Sequence, residues 1–514
     1  MDGRLVRPRR IGRTDEASIL RASKFTRQEP ASQTHSRSTA IQPTLDLPSY
    51  ICGQPIKTDA KLPIYYPYDG SLTGTISQIG VDQIDPMIAG SLSGKSELSR
   101  YDRSQILTRA RDLLIQRSDE FADLIRREAG LCMRETNYEV GRACDVFQFA
   151  AAEALKDDGQ IFSCDISPQG KQRKIFTTRE PLRLALAITP FNHPLNQVAH
   201  KVAPAIAAGV PILVKPSDKT PLTAIRLAEV LYEAGLPLHM LSVFVGDIQS
   251  VVEPLIADER IELVTFTGGT AVGKRISRIA GYKKLCLELG GNAPLIVLED
   301  ADMEMAVTLA AEGCYRNSGQ RCTAVKRLLI HEKIKSEFVQ RFVAKTATYT
   351  AGDPASPDTM VGTVIDEASA KLLEGRVHKA VAAGAKVLCG GERQGALLPP
   401  TVIDDVPRDA EMIVEESFGP LAPIIAVADL EDAIAVANDS RFGLSTGVVT
   451  NNMTSAIECI RRIRTGTVNI NQVPGYRIEC SPFGGCKDSG LGIKEGVIEA
   501  MKFMTNIKTF SLPW

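Results

Sequence analysis

The feature of this 514-residue sequence that most constrains its fold is an alternation of short apolar segments with longer helical segments. The apolar segments predict strands at Leu184–Ile188, Pro211–Val214, Leu241–Val245 and Leu263–Phe266. Helices are predicted to start at Leu195, at Thr220, near Val251 and at Ala271. Strand–helix–strand units of this length predict a parallel sheet with helices on both faces, which is a doubly wound α/β fold.

A second α/β block follows from Pro294 onward. Its predicted strands are Leu295–Leu298, Ala324–His331 and Pro423–Val427, and its predicted helices are Met303–Gly313, Ile334–Tyr349 and Leu430–Asn438. Two such blocks commonly face each other across a cleft, so we expect a binding site between them. The predicted fold class is therefore α/β, with two doubly wound domains.

The segments outside the two blocks are predicted to be helices and strands with separate roles. Apolar residues at helical spacing predict a helix pair over Tyr101–Ala129 and a further helix over Glu139–Leu155. Ile161–Pro181 is polar and strand-like, and we interpret it as a projecting β-hairpin, while Phe503–Trp514 alternates as a strand does. Exposed strand edges of this kind need a partner, so both segments are predicted to be oligomerisation elements.

The composition excludes several classes of protein. With 44% hydrophobic residues, 24% charged residues and a net charge of −1, the chain has no global electrostatic attraction to nucleic acid or to an anionic membrane. Its longest apolar stretch, residues 202–214, is shorter than the roughly 20 residues that span a bilayer, and no signal-peptide core precedes the fold. We therefore expect a cytoplasmic protein with neither nucleic-acid nor membrane partners.

The first 40 residues differ from the rest of the chain. They carry eight arginines and one lysine against four acidic residues, together with many serines and threonines. We interpret residues 1–49 as a basic, disordered N-terminal extension. The same composition suits an organellar targeting segment, and this alternative stays open.

Eleven cysteines are scattered along the chain without any C-x-x-C pair, which indicates reduced thiols in a cytosol-like compartment. The six histidines show no close pairing with cysteine or with each other, so no metal site is predicted. Ten of the cysteines are interpreted as small buried hydrophobic residues.

Cys322 is the exception, because it follows a glycine-containing turn and precedes a predicted strand in Asn317-Ser318-Gly319-Gln320-Arg321-Cys322. A thiol there can be exposed, and the adjacent Arg321 guanidinium is expected to favour the thiolate. Glu288 stands two residues before a pair of glycines, where a desolvated carboxylate can act as a general base. Asn192 follows a predicted strand and can point into the crevice at the carboxyl end of the sheet.

With these three motifs in this order, the chain from about residue 50 to its end resembles the aldehyde dehydrogenase superfamily. Four further segments carry the resemblance: Val214-Lys215-Pro216-Ser217-Asp218, Phe266-Thr267-Gly268-Gly269-Thr270-Ala271-Val272-Gly273, Glu415-Glu416-Ser417-Phe418-Gly419-Pro420, and Pro482-Phe483-Gly484-Gly485-Cys486-Lys487-Asp488-Ser489-Gly490. The resemblance implies that family's fold and an NAD(P)-dependent oxidation of an aldehyde to a carboxylic acid.

The resemblance also implies how the chain is divided. Residues 50–162 and 183–290 would form the NAD-binding domain, and residues 291–487 the catalytic domain. Residues 163–182 and 488–514 would be the oligomerisation elements of a homodimer or a homotetramer.

The same resemblance assigns the catalytic roles. Cys322 attacks the aldehyde, and the side chain of Asn192 and the backbone N–H of Cys322 hold the resulting oxyanion. Glu288 activates the water that hydrolyses the thioester. Relatives that transfer the acyl group to coenzyme A lack this glutamate, so its presence favours hydrolysis.

Seven positions are assigned by the resemblance to the cofactor: Lys215, Asp218, Gly268, Gly269, Gly273, Glu416 and Phe418. Two of them depart from the family pattern, since Gly269 replaces the usual serine and Asp218 the usual glutamate. A carboxylate near the ribose 2′-hydroxyl repels a 2′-phosphate, so NAD is the preferred cofactor and NADP the alternative.

The residues around the predicted pocket favour a small anionic aldehyde as substrate. Arg142, His193 and Arg321 are cationic or can become so, Arg477 is a further candidate, and guanidinium forks bind dianions strongly. These motifs and the C-terminal segment look most like phosphonoacetaldehyde dehydrogenases, which implies that substrate. Dehydrogenases of lactaldehyde, glycolaldehyde or a semialdehyde are the alternatives, and a catalytically silent relative is a further one.

Overall fold

A computed structural model describes residues 44–94, 98–493 and 495–514, and Thr44–Trp514 form one unit. Most of the predicted N-terminal extension therefore lies outside the described residues. The helices are α1 (Ile84–Ser93), α2 (Arg100–Gln116), α3 (Ser118–Ala129), α4 (Met133–Ala154), α5 (Asn196–Ala208), α6 (Leu222–Glu233), α7 (Glu253–Ala257), α8 (Thr270–Ile279), α9 (Met303–Tyr315), α10 (Glu332–Thr346), α11 (Glu367–Ala382), α12 (Glu411–Val414), α13 (Leu430–Asn438), α14 (Met453–Arg462) and α15 (Val497–Phe503).

The strands are β1 (Leu45–Leu47), β2 (Ser49–Ile51), β3 (Gln54–Ile56), β4 (Lys61–Tyr65), β5 (Leu72–Ile79), β6 (Ile161–Ser163), β7 (Arg173–Pro181), β8 (Ala185–Ile188), β9 (Ile212–Lys215), β10 (Leu241–Val243), β11 (Val245–Gly246), β12 (Leu263–Thr267), β13 (Lys284–Glu288), β14 (Ala293–Val297), β15 (Val325–His331), β16 (Lys386–Cys389), β17 (Thr401–Asp404), β18 (Leu421–Val427), β19 (Phe442–Gly443), β20 (Ser445–Val449), β21 (Thr467–Ile470), β22 (Cys486–Lys487) and β23 (Thr505–Pro513).

The first large sheet has seven strands in the order β13-β12-β8-β9-β10-β2-β3. The strands from β13 to β10 are parallel, and β2 and β3 join antiparallel at one edge. Its central strands are buried throughout, as the apolar sequence runs predict for a parallel sheet covered on both faces. The predicted doubly wound α/β fold is therefore confirmed in this half of the chain.

The second large sheet also has seven strands, in the order β16-β17-β18-β15-β14-β20-β21. All its neighbours are parallel except β16, which pairs antiparallel with β17. A four-residue connection, Leu289–Asn292, leads from the end of β13 in the first sheet to the start of β14 in the second. This link brings the carboxyl edge of the first sheet to the amino edge of the second.

A third sheet consists of β6, β7 and β23, all antiparallel. The predicted hairpin is thus confirmed, and the C-terminal strand pairs with β7 along nine residues of each strand. Phe176 stacks on Phe510 with ring centroids 5.4 Å apart, while Ile161 and Trp514 remain exposed. Assembly through this sheet stays a prediction, as does the division of the chain into domains.

The observed helices and strands match the predicted ones closely where apolar residues recur at a regular spacing in the sequence. The helix predicted over Leu430–Asn438 is α13, and α2 and α3 form the predicted pair. Helix α4 begins at Met133, six residues before the predicted start, because its first turn carries Arg134 and Glu135 and gives no apolar repeat. No helix in the part of the chain that the structure describes is both long enough and apolar enough to cross a membrane.

Helix α6 begins against a buried carboxylate from α3. Glu128 is 1% exposed and accepts hydrogen bonds from the backbone N–H groups of Leu222 (2.9 Å) and Thr223 (3.1 Å). Burial raises the pKa of Glu128 to about 8 although these hydrogen bonds oppose the shift. The folded chain therefore keeps a proton on Glu128 at pH values where the unfolded chain has lost it.

Stability is expected to fall as the pH rises from about 4.5 to about 8, because the folded state binds the extra proton throughout that window. Glu128→Gln should weaken this dependence by about 1.4 kcal/mol per pH unit, since glutamine does not titrate. Urea unfolding at pH 5 and pH 8 measures the change. Glu120→Gln, on the exposed face of the same helix, is the control, and an equal effect of both variants would contradict the assignment.

Candidate active site

Cys322 lies just after a tight turn between α9 and β15. Three consecutive residues of this turn, Asn317, Ser318 and Gly319, have positive φ angles of 57°, 52° and 69°. A Cβ on Gly319 would lie 2.1 Å from the carbonyl oxygen of Gly419, so only glycine fits this position. The turn leaves Cys322 partly exposed at the amino edge of the second sheet.

The Asn192 loop, at the carboxyl end of β8, is tied to this turn. The Asn192 Nδ2 atom donates to the Gln320 carbonyl oxygen at 2.8 Å, and Asn317 Nδ2 donates to the Asn192 carbonyl oxygen at 3.0 Å. An amide nitrogen carries two hydrogens, so Asn192 keeps a second donor. The backbone N–H of Cys322 donates to none of the described residues. The structure therefore brings two of the predicted catalytic residues together with two available donors.

Glu288 ends β13 and is 4% exposed. Its charge raises the pKa of the Cys322 thiol, and a Cβ on Gly484 would lie 2.5 Å from its Oε1 atom. Three residues after Glu288, a Cβ on Gly291 would lie 2.2 Å from the Cys322 carbonyl oxygen. The glycines after Glu288 thus let this segment run directly against the backbone of the cysteine.

The surroundings of Cys322 disfavour its thiolate form. Burial raises its pKa to about 11, the carboxylates of Glu416 and Glu288 raise it as well, and Arg477 and Lys326 lower it. The expected charge interaction between Arg321 and the Cys322 thiolate is present, because the charge on Cys322 raises the pKa of Arg321, but burial has the larger effect on the pKa of the thiol. The hydrogen bonds of Arg321 are made at the end of a helix.

The Arg321 guanidinium binds the end of helix α9. Its Nη2 atom donates to the carbonyl oxygens of Glu312 (3.0 Å) and Gly313 (3.1 Å), where a helix terminus concentrates negative partial charge. Its Nε atom is buried without a partner among the described residues. Burial lowers the pKa of Arg321 to about 10, so the group keeps its positive charge at neutral pH.

His193 is buried beside three arginines. Burial and the charges of Arg142, Arg321 and Arg477 lower its pKa well below the usual value. The expectation that His193 supplies positive charge is therefore wrong, because burial and the neighbouring guanidinium groups both disfavour imidazolium. Neutral His193 can still hydrogen-bond a substrate oxygen.

Arg142 lies on α4 and binds a carboxylate that the sequence motifs did not reveal. Its Nε atom donates to Glu479 Oε1 at 2.5 Å, and His200 Nε2 lies 2.5 Å from Glu479 Oε2. Arg477 approaches the same carboxylate to 3.8 Å and stacks on Phe483, 4.1 Å from the ring centroid. Burial opposes ionisation of Glu479, yet His200 and the arginines hold its pKa below the usual value.

Lys326 is a second residue that the sequence analysis missed. It lies buried on β15, and its Nζ atom is 4.9 Å from the centroid of the Phe418 ring. Burial lowers the pKa of Lys326 to about 8, although the negative charges of Glu416 and of the Cys322 thiolate act to raise it. The signal that could have identified it is the pair of basic residues Lys326 and Arg327 near the start of a buried strand.

The predicted cofactor positions lie at the carboxyl ends of strands of the first sheet. Lys215 ends β9, and its buried Nζ atom donates to Asp218 Oδ1 at 2.6 Å, so this carboxylate is partly neutralised. Gly269 precedes α8, and no side chain caps the first N–H groups of this helix. Gly273 lies so close to Leu289 that a Cβ on it would be 2.3 Å from the leucine side chain. An open helix N-terminus of this kind can bind phosphate.

Two further predicted cofactor residues come from the second half of the chain. Glu416 is partly buried, and its Oε1 atom accepts a hydrogen bond from the Gly291 backbone at 3.0 Å. Phe418 packs edge-on against Phe191, with ring centroids 5.8 Å apart. A lysine, a carboxylate, an open helix end and an aromatic ring along one edge suit a dinucleotide, so the residues present fit the predicted cofactor.

Comparisons with known proteins agree with this arrangement. The sequence profile of the aldehyde dehydrogenase family matches residues 56–510. A 3-sulfolactaldehyde dehydrogenase from Priestia megaterium is 36% identical over 457 residues, which is 89% of this chain and 96% of the relative. A sulfoacetaldehyde dehydrogenase from Neptuniibacter caesariensis is 36% identical over 448 residues, 86% of this chain and 97% of the relative.

A solved structure has the same fold. The NADP-dependent glyceraldehyde-3-phosphate dehydrogenase of Bacillus halodurans C-125, complexed with NADP, superposes with a TM-score of 0.88 at 33% identity. The match covers 91% of this chain and 99% of the other.

The raised thiol pKa gives a testable expectation. Glu416→Gln should lower the Cys322 pKa from about 11, because the variant removes a carboxylate that opposes the thiolate. The rate of Cys322 alkylation by iodoacetamide, followed across pH by peptide mass spectrometry without cofactor, measures this pKa. Glu415→Gln is the matched control, since Glu415 is exposed and pairs with Arg441. A wild-type inflection below pH 8 would contradict the described electrostatics.

Proposed function

The chain belongs to the aldehyde dehydrogenase family, and we propose that it oxidises a small anionic aldehyde to the carboxylic acid with a nicotinamide cofactor. The proposed reaction consumes the aldehyde, NAD⁺ and water, and it yields the acid, NADH and a proton. Phosphonoacetaldehyde is the proposed substrate. The observation that carries the anionic class is the excess of guanidinium groups beside Cys322.

Cys322 is the proposed nucleophile. The thiol releases its proton to solvent, its sulfur then attacks the aldehyde carbon as a thiolate, and the carbonyl oxygen becomes the oxyanion of a thiohemiacetal. The second Asn192 Nδ2 hydrogen and the Cys322 backbone N–H are the proposed oxyanion donors, because neither is used by the described residues. Donors held in place before the reaction stabilise such charge strongly, by roughly 10²–10³ in rate for one donor.

When bound, the nicotinamide accepts the hydride whose loss converts the thiohemiacetal into a thioester. Glu288 is the proposed base for the second half of the reaction. It removes a proton from water as the water attacks the thioester carbon, and the sulfur of Cys322 leaves with the electrons of the broken C–S bond. Its position at the end of β13, with its charge acting on the thiol, supports this role.

Lys215, Asp218, the start of α8, Glu416 and Phe418 are the residues proposed to hold the cofactor. NAD stays the preferred form, because Asp218 carries a negative charge where a 2′-phosphate would lie. The bond from Lys215 reduces that charge, so NADP stays an alternative. The relative from Bacillus halodurans has the same fold and binds NADP, which supports keeping both NAD and NADP as candidate cofactors.

The charge balance of the pocket supports a dianionic substrate. Arg142, Arg321 and Arg477 carry three positive charges around neutral His193, and Glu479 supplies one negative charge in return. The net charge of these four groups is +2, which suits a phosphonate dianion one methylene away from the aldehyde carbon, and Glu135, which also interacts with Arg321, is paired with Arg316. The three arginines, rather than His193, are therefore the proposed anion-binding groups.

A sulfonated aldehyde is the second candidate, because two of the relatives act on 3-sulfolactaldehyde and sulfoacetaldehyde. A sulfonate has the same tetrahedral arrangement of oxygens with a single charge. Lactaldehyde, glycolaldehyde and semialdehydes are the weaker candidate substrates.

A substrate panel separates these candidates. We expect kcat/KM for phosphonoacetaldehyde to exceed that for propanal, a neutral aldehyde of similar size, by at least about 100-fold. Arg321→Ala should lower kcat/KM for phosphonoacetaldehyde about tenfold or more and leave propanal nearly unchanged. Equal efficiency on both aldehydes would refute the anionic class, and no NADH formation with any aldehyde would support a catalytically silent protein.

Glu288→Gln tests the hydrolytic half of the mechanism. The variant should form the thioester on Cys322 but hydrolyse it slowly, because glutamine cannot take a proton from water. Mass spectrometry of the quenched protein should find the acyl mass on the Cys322 peptide, together with one rapid equivalent of NADH. Cys322→Ser should show neither, and full steady-state turnover of Glu288→Gln would exclude this glutamate as the base.

A further inference from the structure

We infer that Glu479 is a positioning residue, which fixes the guanidinium of Arg142 so that its terminal nitrogens are free to bind the anionic group of the substrate. The inference rests on the proposed function and deepens it, because it names a determinant of anion specificity outside the predicted motifs. Glu479 lies in the segment between β21 and β22, 337 residues from Arg142 in sequence.

The bonding of Arg142 is one-sided. Its Nε atom donates to Glu479 Oε1, and none of its hydrogen bonds to described residues involves the terminal nitrogens. A buried guanidinium with unused donors is costly unless water or a ligand accepts from them. Arg142 is largely buried, with 18% of its side chain exposed, so few waters reach it and an anionic substrate group is a suitable acceptor.

The carboxylate itself is held rigidly. Its second oxygen, Oε2, lies 2.5 Å from His200 Nε2 on α5, and His200 is neutral because burial lowers its pKa. A neutral imidazole that donates to Oε2 leaves Oε1 directed at Arg142. The carboxylate thereby links α4, α5 and the β21–β22 segment at the pocket wall.

A second buried carboxylate in the same region, Glu135, binds its arginines differently from Glu479. Glu135 is 4% exposed, and both of its oxygens accept from Arg316, from Nε and Nη2 at 3.2 Å each. That bidentate pair engages Nε and Nη2 of Arg316, which also lies over the Tyr138 ring at 4.2 Å, and Glu135 Oε1 accepts a further hydrogen bond from Arg134 Nη2 at 3.1 Å. Glu135 therefore pairs with two arginines through both of its oxygens, whereas Glu479 contacts Arg142 through Nε alone and leaves the terminal nitrogens of Arg142 without an acceptor among the described residues.

The contrast supplies a matched control. Glu479→Gln and Glu135→Gln each remove one buried negative charge near the pocket, but only the first disturbs Arg142. If Glu479 merely reduced the positive charge, its removal would strengthen anion binding. If it positions Arg142, its removal weakens anion binding. The two roles thus predict opposite signs.

The first measurement needs neither cofactor nor turnover. The anionic reagent iodoacetate and the neutral reagent iodoacetamide alkylate the same thiol, and the ratio of their rates at Cys322 cancels any change in thiol pKa. We expect Glu479→Gln to lower the iodoacetate-to-iodoacetamide ratio about fivefold, and Glu135→Gln to leave it unchanged or raise it. A higher ratio in Glu479→Gln would overturn the inference.

A double-mutant cycle distinguishes positioning from a general structural role. Glu479→Gln in an Arg142→Met background should change the ratio less than about twofold, because the residue through which Glu479 acts is gone. Equal effects in both backgrounds would overturn the inference. Glu479→Asp, which keeps the charge and can reach one partner, should recover part of the ratio if Glu479→Gln proves unstable, and no recovery would count against positioning.

Steady-state kinetics complete the test. Glu479→Gln should raise KM for phosphonoacetaldehyde about tenfold and leave kcat/KM for propanal within about twofold. Equal losses on both aldehydes would overturn the inference. If the alkylation ratio behaves as expected but wild-type enzyme does not prefer phosphonoacetaldehyde to propanal, the positioning role stands and the proposed substrate class fails.

Discussion

The hydrogen bonds between the Asn192 loop and the turn before Cys322 are the interaction on which the rest of the site depends. They join the carboxyl edge of one parallel sheet to the amino edge of the other through Gln320 and Asn317. Three consecutive residues in left-handed conformation make the turn possible, and Asn tolerates that conformation better than most residues. Asn192 and Cys322 come from different halves of the chain, and these bonds hold the proposed oxyanion donor beside the proposed nucleophile.

Buried charge shapes the pocket around this junction. Three of the carboxylates there interact with a cationic group, as Glu479 does with Arg142, Glu135 with Arg316 and Glu416 with Lys326. Removal from water would make any of these groups costly alone, and the opposite charge stabilises each of them. The same burial disfavours the charged forms of the Cys322 thiol and of His193. The arginines are then the groups that carry the net positive charge toward a substrate.

Local sequence patterns predicted most of the fold and part of the site. The strands of both sheets are apolar runs, and α13 has a clear helical period, so their positions could be read directly. Cys322, Asn192 and Glu288 each stand in a recognisable segment between a strand and its neighbour. Glu479 and Lys326 could not be assigned a role in this way. Nothing next to Glu479 in sequence indicates its partners, and the position of Lys326 in a predicted strand does not by itself indicate a role.

The sequence by itself determined the two parallel sheets and the family resemblance and indicated the proposed nucleophile, because those depend on residues close together in the chain. Tertiary structure alone decided the charge states and the orientation of the arginines. Arg321 donates hydrogen bonds to carbonyl oxygens at the end of α9, and Arg142 pairs with a carboxylate 337 residues away in sequence. Solvation and pairing of charged groups are set by neighbours in space, and the spacing of residues in a sequence carries no direct record of them.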